Sequence, residues 1–404
     1  MQEYPLGSKP VLVRAPVVLP MISPPLTDGA VLVSGGRVRE VGPFRDLRRT
    51  FRGKVLDLEG VALLPALVNA HTHLELSVFR FRLTPSGSFV TWVRNLIRQR
   101  TEVALSEARQ AVEEALRELW REGVGLVADV GNTGLTLGLL RESPFYSVYF
   151  REIIDFKGGT NLRDFVKGPE GERITYSLSP HAPYTVSPVL IQAIKSWTRR
   201  AGRPLSIHVA ESPEECAFLK EGEGPLRVLL EERGQMPPGF RAPGLSPVAY
   251  LDRLGVLDER TICVHLVQAT ASDLEILAQR RSRPCLCPRS NIFLGVGLPP
   301  LPAMLSVGLK PCLGTDSLAS NDRLSILAEM EALRAAYPEV APEKLFLMAT
   351  LWGAEALGRP DLGFIGPGAR AEMIGLSLTP GRGSPWERLL EGPKKVEVRL
   401  YGPL

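Results

Sequence analysis

The five histidines of this chain are placed in a consistent way. Each one ends or directly follows a short apolar run of the kind that forms a buried β-strand: His71, His73, His181, His208 and His265. Imidazole nitrogens bind Zn²⁺ and Fe²⁺, and they also transfer protons near neutral pH. The placement therefore predicts one chemically active site, to which the ends of several strands contribute.

Two of these histidines have the spacing of metal ligands. His71 and His73 are two residues apart, so on one strand both side chains point to the same side. His208, at the end of PLSIH, can supply a third nitrogen, and Asp316, at the end of KPCLGTD, can supply a carboxylate. The alternative for Asp316 alone is a helix N-cap. A catalytic metal site of this kind keeps a position open for water.

A glutamate lies close to the expected third nitrogen ligand. Glu211 follows His208 by three residues, just beyond the strand, where a loop can bring its carboxyl group over the metal. Glu211 is therefore a candidate proton shuttle. The alternative is a solvent-exposed loop glutamate beside Glu214 and Glu215.

Eight apolar strand candidates alternate with amphipathic helix patterns, in which apolar residues recur at intervals of three and four. Such alternation predicts a parallel sheet. Eight βα units predict an α/β fold of the TIM-barrel type, (β/α)8, whose active sites lie at the carboxyl ends of the strands. A doubly wound open sheet remains the alternative. The strand candidates are ALVNAHTH, VGLVADVG, FYSVYFREI, ITYSLSPH, PLSIHVAE, TICVHL, PCLCPRSN and KPCLGTD.

Both ends of the chain have the patterns of short β-strands. The first sixty residues contain PVLVRAPVVLP and AVLVSGGRVREVG, and no helix is predicted there. The segments AEMIGLSLTPG and KKVEVRLYG return to the same pattern near the other end. We predict a small β-sandwich formed by residues 1–60 and 361–404, and a catalytic barrel formed by residues 61–360.

Composition and charge argue against several classes of protein. The 48 basic and 44 acidic residues are intermixed along the chain, so nucleic-acid binding is not predicted. No run of eighteen apolar residues predicts a membrane span, and the N-terminus lacks a signal-peptide pattern. We expect a cytoplasmic enzyme with a small-molecule substrate, and a homodimer is the common assembly of such enzymes.

Five motifs, in order along the chain, resemble those of the amidohydrolase superfamily. They are NAHTHLEL, SPHAPYTVS, IHVAES, CVHL and LGTDSLASND. The resemblance is to the branch of purine-nucleoside and triazine deaminases and chlorohydrolases, and it covers the whole chain, including the β-rich ends. It implies hydrolysis of an amine from a heteroaromatic ring.

The resemblance implies that four of the residues above bind one divalent ion. Zn²⁺ is the usual ion, and Fe²⁺ is the alternative. Binuclear members of the superfamily carry a modified lysine at the end of strand four, but SLSPHAPYT contains no lysine. A single ion is therefore expected, with the ligands His71, His73, His208 and Asp316.

The resemblance also implies the catalytic roles. Asp316 takes a proton from the attacking water, which the ion has made acidic. Glu211 protonates a ring nitrogen, and His265 stabilises the hydroxide as it attacks the carbon that bears the amine. Ammonia then leaves.

Four further residues are candidates for substrate binding. His181 and Ser320 match substrate-side positions of related deaminases, with core packing and an exposed loop as the respective alternatives. Glu75 would point into the predicted barrel if the first barrel strand continued as far as this residue. The alternative is that Glu75 forms an ion pair with another residue. Trp92 is the fourth candidate. Methylthioadenosine and S-adenosylhomocysteine deaminases carry a ribose-binding glutamate directly before the matching tryptophan. Thr91 occupies the position of that glutamate here.

The segments LEL and SFVTWV are closer to those of 6-aminodeoxyfutalosine deaminases. That substrate is an adenine nucleoside with an aromatic acid at the far end of the sugar, so Arg82 or Arg289 is a candidate partner for its carboxylate. Methylthioadenosine and S-adenosylhomocysteine remain candidate substrates. Two other functions stay open: a chlorohydrolase or other amidohydrolase acting on a triazine-like or pyrimidine-like ring, and a catalytically inactive scaffold.

Overall fold

The computed structural model describes residues 1–85, 87–392 and 394–403. The strands of these residues form three β-sheets, with helices packed around them. In chain order the strands are β1 (Gln2–Pro5), β2 (Val11–Val18), β3 (Leu26–Ser34), β4 (Arg37–Pro43), β5 (Lys54–Asp57), β6 (Val61–Pro65), β7 (Leu67–Thr72), β8 (Val124–Gly131), β9 (Tyr146–Ile153), β10 (Ile174–Pro180), β11 (Leu205–Val209), β12 (Thr261–His265), β13 (Arg283–Leu286), β14 (Cys312–Leu313), β15 (Met373–Ser377) and β16 (Val396–Tyr401).

One mixed sheet combines strands from both ends of the chain. Its order is β1-β16-β15-β6-β2-β3-β4, and β5 pairs with β2. The first strand pairs in parallel with the last, with Gln2 opposite Val398. β15 pairs antiparallel with β6, with Ile374 opposite Leu64. The strands predicted at the two ends are therefore present, and they share one sheet.

The eight strand candidates predicted from the sequence form two parallel sheets of four strands. Their orders are β10-β9-β8-β7 and β11-β12-β13-β14, so each strand lies beside its neighbour in the chain. β8 and β11 are buried along their whole length. Burial on both faces is typical of parallel strands covered by helices, and it explains why these segments are continuous apolar runs.

The edges of the two parallel sheets lie next to each other on both sides. Thr72, the last residue of β7, forms a parallel bridge with Asp316, which follows β14. On the other side, the backbone N–H of His208 in β11 donates to the carbonyl of His181, which follows β10, at 2.9 Å. The carboxyl ends of all eight strands therefore point to one region.

The α-helices follow the strands and cover their outer faces. No helix of the described ranges has the length and apolarity needed to cross a membrane. The α-helices are α1 (Phe44–Thr50), α2 (Phe89–Arg100), α3 (Leu105–Arg121), α4 (Leu135–Glu142), α5 (Pro188–Ala201), α6 (Pro213–Glu221), α7 (Pro225–Glu232), α8 (Pro247–Arg253), α9 (Ala271–Arg280), α10 (Pro288–Leu294), α11 (Leu301–Ser306), α12 (Ile326–Ala336), α13 (Pro342–Ala349), α14 (Leu351–Ala356) and α15 (Pro385–Glu391), and two 3₁₀-helices are Leu74–Phe79 and Leu162–Asp164.

One prediction about the first sixty residues is wrong, because the short helix α1 lies there. Leu47 is its one buried residue. A helix that buries so little shows no apolar repeat in its sequence, so periodicity could not reveal it.

Candidate active site

The predicted metal ligands converge at the carboxyl ends of the parallel strands. His73 Nε2 lies 3.3 Å from His208 Nε2. Asp316 Oδ1 lies 3.9 Å from His71 Nε2 and 3.8 Å from His73 Nε2. All four side chains are buried. Three imidazoles and one carboxylate thus face a common point.

The His71 ring supports a metal at this point. Both of its nitrogens are buried, and neither has a hydrogen-bond partner among the described residues. A buried polar atom without a partner is costly, so native proteins rarely keep one unless a ligand satisfies it. Ligand atoms of His71, His73 and His208 lie within 4.8 Å of one another. This donor set fits a divalent ion that binds imidazole.

Close backbone contacts hold the first and last strand ends together. The N–H groups of Thr315 and Asp316 both donate to the carbonyl of His71, at 3.0 and 3.1 Å. Asn69 Nδ2 donates to Thr315 Oγ1 at 2.8 Å. A Cβ atom at Gly314 would lie 2.7 Å from His71 Cβ, so only glycine permits this approach. The ligands that follow the first and the last of the eight parallel strands are thereby brought into register.

Four non-glycine residues near the site have left-handed backbone conformations. Their φ values are 53° at Ala210, 77° at His265, 54° at Leu266 and 54° at Asp316. Such conformations cost about 1–3 kcal/mol each and persist where the surrounding structure enforces them. They lie at the ends of β11, β12 and β14, where they direct side chains toward the common point.

Two serine hydroxyls orient the Asp316 carboxylate. Ser290 Oγ lies 2.6 Å and Ser320 Oγ 3.0 Å from Asp316 Oδ2. Burial raises the pKa of Asp316, but the neighbouring His73, His265 and His71 and the Ser290 hydroxyl outweigh it and lower the pKa to about 2. The Ser290 and Ser320 hydroxyls both donate to this carboxylate and so stabilise its charged form.

Burial also determines the charge of the imidazoles. It lowers the pKa of His71 and of His208 well below the usual value, with a smaller contribution from neighbouring histidines. Both rings are therefore neutral near pH 7. Neutral imidazole is the form that coordinates a metal.

Glu211 lies against this set and is not a solvated loop residue. Its Oε1 is 3.5 Å from His265 Nε2. Burial, with the nearby Asp316 charge as the second cause, raises the pKa of Glu211 well above the usual value. The loop is held by Glu215, which accepts the N–H groups of Ala210 and Glu211 at 3.0 and 2.9 Å. Glu211 is thus a fixed carboxyl group whose protonated form is favoured.

Asn291 sets the tautomer of His265. Asn291 Oδ1 lies 2.9 Å from His265 Nδ1 and accepts its hydrogen, which leaves Nε2 of the neutral ring as an acceptor. That Nε2 is 3.0 Å from His208 Nδ1. A hydrogen on His208 Nδ1 therefore leaves the opposite nitrogen, Nε2, free for a metal.

A cavity of about 470 Å³ opens above these residues. His181 lines it, with its Nδ1 held 2.8 Å from Thr185 Oγ1. Trp92 also lines it and donates from Nε1 to the Ala319 carbonyl at 3.3 Å. Its inner wall contains polar and ionisable side chains, and its outer wall is mainly apolar. Lining residues are His73, Glu75, Glu152, His181, His208, Glu211 and Asp316 on the inner side, and Phe89, Leu96, Ile97, Leu226, Leu229, Leu230 and Arg233 on the outer side.

The sequence pattern of the Amidohydrolase family matches residues 62–397. The chain belongs to this family. This match confirms the prediction from the sequence that the chain is a hydrolase of the amidohydrolase type. A second pattern, the imidazolonepropionase-like composite domain of bacteria, matches residues 29–53. The mixed α/β fold with parallel sheets agrees with the TIM-barrel fold of amidohydrolases.

Relatives of this amidohydrolase include several deaminases. An aminodeoxyfutalosine deaminase of Deinococcus radiodurans is 32% identical over 349 residues, which cover 82% of this chain and 81% of that protein. An adenosine deaminase from Xanthomonas campestris, solved with bound zinc, is 26% identical, with a TM-score of 0.77 and coverage of 93% and 86%. The fold is also that of Helicobacter pylori aminofutalosine deaminase in complex with methylthio-coformycin, at 24% identity, a TM-score of 0.86 and coverage of 96% and 98%.

Two of the predicted substrate-side residues of this amidohydrolase have partners within the protein. Ser320 is fully buried and contacts Asp316, so it is not an exposed loop residue, and it does not line the cavity. The first barrel strand ends at Thr72, so Glu75 lies in a 3₁₀-helix. Glu75 accepts hydrogen bonds from Asn132 N, Thr133 N and Thr133 Oγ1 and forms an ion pair with Arg100. Both oxygens of its carboxylate therefore already have partners within the protein. These bonds favour the ion-pair alternative.

The arginines suggested for a substrate carboxylate lie elsewhere. Arg82 pairs with Glu107, and Arg289 pairs with Asp322. Neither lines the cavity, whereas Arg100 and Arg233 do. The suggestion of Arg82 or Arg289 is therefore wrong for this cavity, because both are bound to acidic partners outside it.

Three residues near the site were missed from the sequence. Ser290 and Asn291 follow the strand β13 in the motif PRSN, and they contact Asp316 and His265. Glu152 ends β9 in the motif FREI and lines the cavity. A polar residue at the end of an apolar strand is the signal that could have identified all three, as it identified the histidines.

Proposed function

We propose that this chain is a metal-dependent aminohydrolase that removes ammonia from an adenine-type nucleoside. One observation carries the proposal: three buried imidazoles and the Asp316 carboxylate face one point, and Glu211, whose pKa is raised by burial, lies beside it. A base and an acid on two sides of one point are what hydrolysis of a ring amine requires, because water must lose a proton and the ring must gain one.

His71, His73, His208 and Asp316 hold the ion, for which Zn²⁺ is the first candidate and Fe²⁺ the alternative. When bound, the ion makes a water molecule acidic enough to act as a nucleophile near neutral pH. Asp316 accepts the proton of the attacking water through its carboxylate, which Ser290 and Ser320 orient.

Glu211 and His265 complete the proton transfers. Glu211 donates its proton to a ring nitrogen, so that attack on the adjacent carbon does not create a ring anion. His265 lies at the same point, with Nε2 3.5 Å from Glu211 Oε1, and we assign it to stabilising the hydroxide as it attacks. The amine takes the proton held by Asp316 and departs as ammonia. The ring carbon keeps the oxygen of water, and the proton of that hydroxyl group returns to Glu211.

The proposal extends to the fold and the domain organisation of the chain. The two parallel sheets adjoin at β7/β14 and at β10/β11, which supports one closed (β/α)8 barrel. The bounds predicted from the sequence are residues 61–360 for this catalytic domain and residues 1–60 and 361–404 for the companion β-sandwich. Strand β6 (Val61–Pro65) pairs with β15 and β2, so it belongs with the companion strands. A homodimer and the cellular location stay predictions from the sequence.

The outer cavity favours one class among the candidate nucleosides. Side chains of α2 and α7 make it apolar, and Arg233 lies at its rim with no acidic partner among the described residues. An apolar or aromatic extension of the sugar that ends in a carboxylate suits this wall, because arginine pairs well with carboxylates. We therefore propose 6-aminodeoxyfutalosine ahead of methylthioadenosine and S-adenosylhomocysteine.

Ammonia release by the metal-loaded protein tests the function. The substrates are 6-aminodeoxyfutalosine, methylthioadenosine, S-adenosylhomocysteine, adenosine and an aminotriazine, with metal content measured on the same samples. Rapid release from a nucleoside with one ion per chain supports the proposal. Release of another leaving group from a triazine favours a chlorohydrolase. A filled site with no turnover favours the inactive scaffold.

A further inference from the structure

Glu152 is a buried glutamate, and one of its two carboxylate oxygens has no hydrogen-bond partner among the described residues. It ends β9, is 6% exposed and lines the inner cavity. Asn132 Nδ2 donates to its Oε2. Its Oε1 is buried and has no hydrogen-bond partner among the described residues. An unpaired carboxylate oxygen in such a position is costly unless a ligand donates to it.

A network of side chains fixes the position of Glu152. Asn132 Oδ1 accepts from Arg100 Nη2 at 2.8 Å, and Asn132 N donates to Glu75 Oε1 at 2.9 Å. Glu75 thus has all of its acceptor sites engaged, whereas Glu152 keeps one oxygen free. The free oxygen is held by this network and cannot turn toward bulk water without breaking the Asn132 contact.

The surroundings of Glu152 argue against a second metal ion there. Ligand atoms of Glu152, His181 and His208 lie within 4.8 Å of one another. However, His208 Nδ1 is 3.0 Å from His265 Nε2, and His208 Nε2 is 3.3 Å from His73 Nε2. Both nitrogens of His208 are engaged in the site already described. Glu152 and His181 are left as a pair of polar groups that face the cavity.

We propose that Glu152 Oε1 accepts a hydrogen bond from a hydroxyl group of the substrate's sugar, beside His181. The proposal rests on the proposed nucleoside substrate. The ring to be hydrolysed must lie between Glu211 and Asp316, so the sugar is the part that reaches the ends of β9 and β10. Thr91 is exposed and does not line the cavity, so it cannot supply this contact. Glu152 is thus a specificity-determining residue.

Product binding tests this contact without turnover. Affinities of the metal-loaded protein for inosine, 2′-deoxyinosine, 3′-deoxyinosine and 2′,3′-dideoxyinosine are measured by calorimetry. A hydrogen bond to a carboxylate contributes about 10- to 100-fold in affinity. We expect inosine to bind the wild-type protein more tightly than dideoxyinosine by about this factor. In Glu152→Gln, inosine should lose most of that advantage, with dideoxyinosine little changed and the metal retained.

The controls separate this proposal from the proposed function. Glu142→Gln makes the same chemical change at an exposed glutamate outside the cavity and should leave all four affinities unchanged. If the wild-type protein binds all four nucleosides with equal affinity, Glu152 does not have the proposed role. That result would leave the deaminase proposal unaffected. Failure to bind any of them counts against the nucleoside itself. Loss of metal in Glu152→Gln would instead identify Glu152 as a ligand. Should that variant not fold, the wild-type comparison still decides.

Discussion

The inner and outer walls of the cavity are built in different ways. Inner side chains come mostly from strand ends, are mostly buried and are held by partners, as Asp316 is by Ser290 and His181 is by Thr185. Outer side chains come from helices α2 and α7, and Arg233 is exposed with no partner in the described part of the chain. Strand ends are held by the sheet, whereas side chains on surrounding helices can change without disturbing it. Under the proposed function, the inner wall would carry out the reaction and bind the sugar, and the outer wall would select the group at the far end of the sugar.

The largest expected effect of this difference is in the metal site. His73→Ala removes one of three imidazoles, so we expect loss of the ion and of activity to the background rate. Metal analysis and ammonia release on one preparation measure both. Leu96→Ala, on the outer wall, is the control and should retain the ion. Loss of metal in both variants would contradict the division between the walls.

Glu211→Gln is expected to separate metal binding from catalysis. Glutamine keeps the shape of the side chain but has no proton to give to the ring, so turnover should fall about 10²- to 10⁴-fold. The ion should remain, because Glu211 is not one of the proposed ligands. Measurements of kcat and metal content test this, and normal turnover would remove Glu211 from the mechanism.

Ser290→Ala should have a smaller effect on metal binding than His73→Ala. It removes the hydroxyl 2.6 Å from Asp316 and leaves the ligands in place. Loss of such a supporting group typically costs about 10- to 100-fold in metal affinity or activity. Competition with a chelator measures the affinity. Ser306→Ala, which changes an exposed serine, should behave like the wild-type protein.

The smallest effect is expected at the rim. Arg233→Gln should raise KM for 6-aminodeoxyfutalosine by about tenfold or less, because an exposed ion pair is weak. The KM for methylthioadenosine, which has no carboxylate, should not change, and kcat should be the same for both. An equal rise for both substrates would show that Arg233 does not recognise the charge.

Much of the fold could be predicted from local patterns. The eight parallel strands were each marked by an apolar run, and FVTWVRNLIRQR coincides with α2. The segment PEKLFLMATLWGAEALG was less informative, because a break at Thr350 divides it into α13 and α14. Apolar residues continue through this break, so the pattern alone does not show it.

The supporting residues were harder to identify. Ser290 lies 26 positions from Asp316 in the chain, and Asn132 lies 20 positions from Glu152. Each is an ordinary polar residue until the strands that carry it are adjacent. Their roles depend on which strand ends meet, and a single sequence contains no direct signal of that.

The sequence by itself determined which residues can do the chemistry, because a histidine or aspartate at the end of an apolar strand has few structural reasons to be there. Only the tertiary structure decided how the other polar residues are used. Glu75 is engaged by four donor groups, Ser320 is turned to Asp316, and Arg82 is paired outside the cavity. The physical reason is that a buried strand can be identified from its own apolar pattern. The partner of a polar side chain depends on residues brought near it by distant parts of the chain.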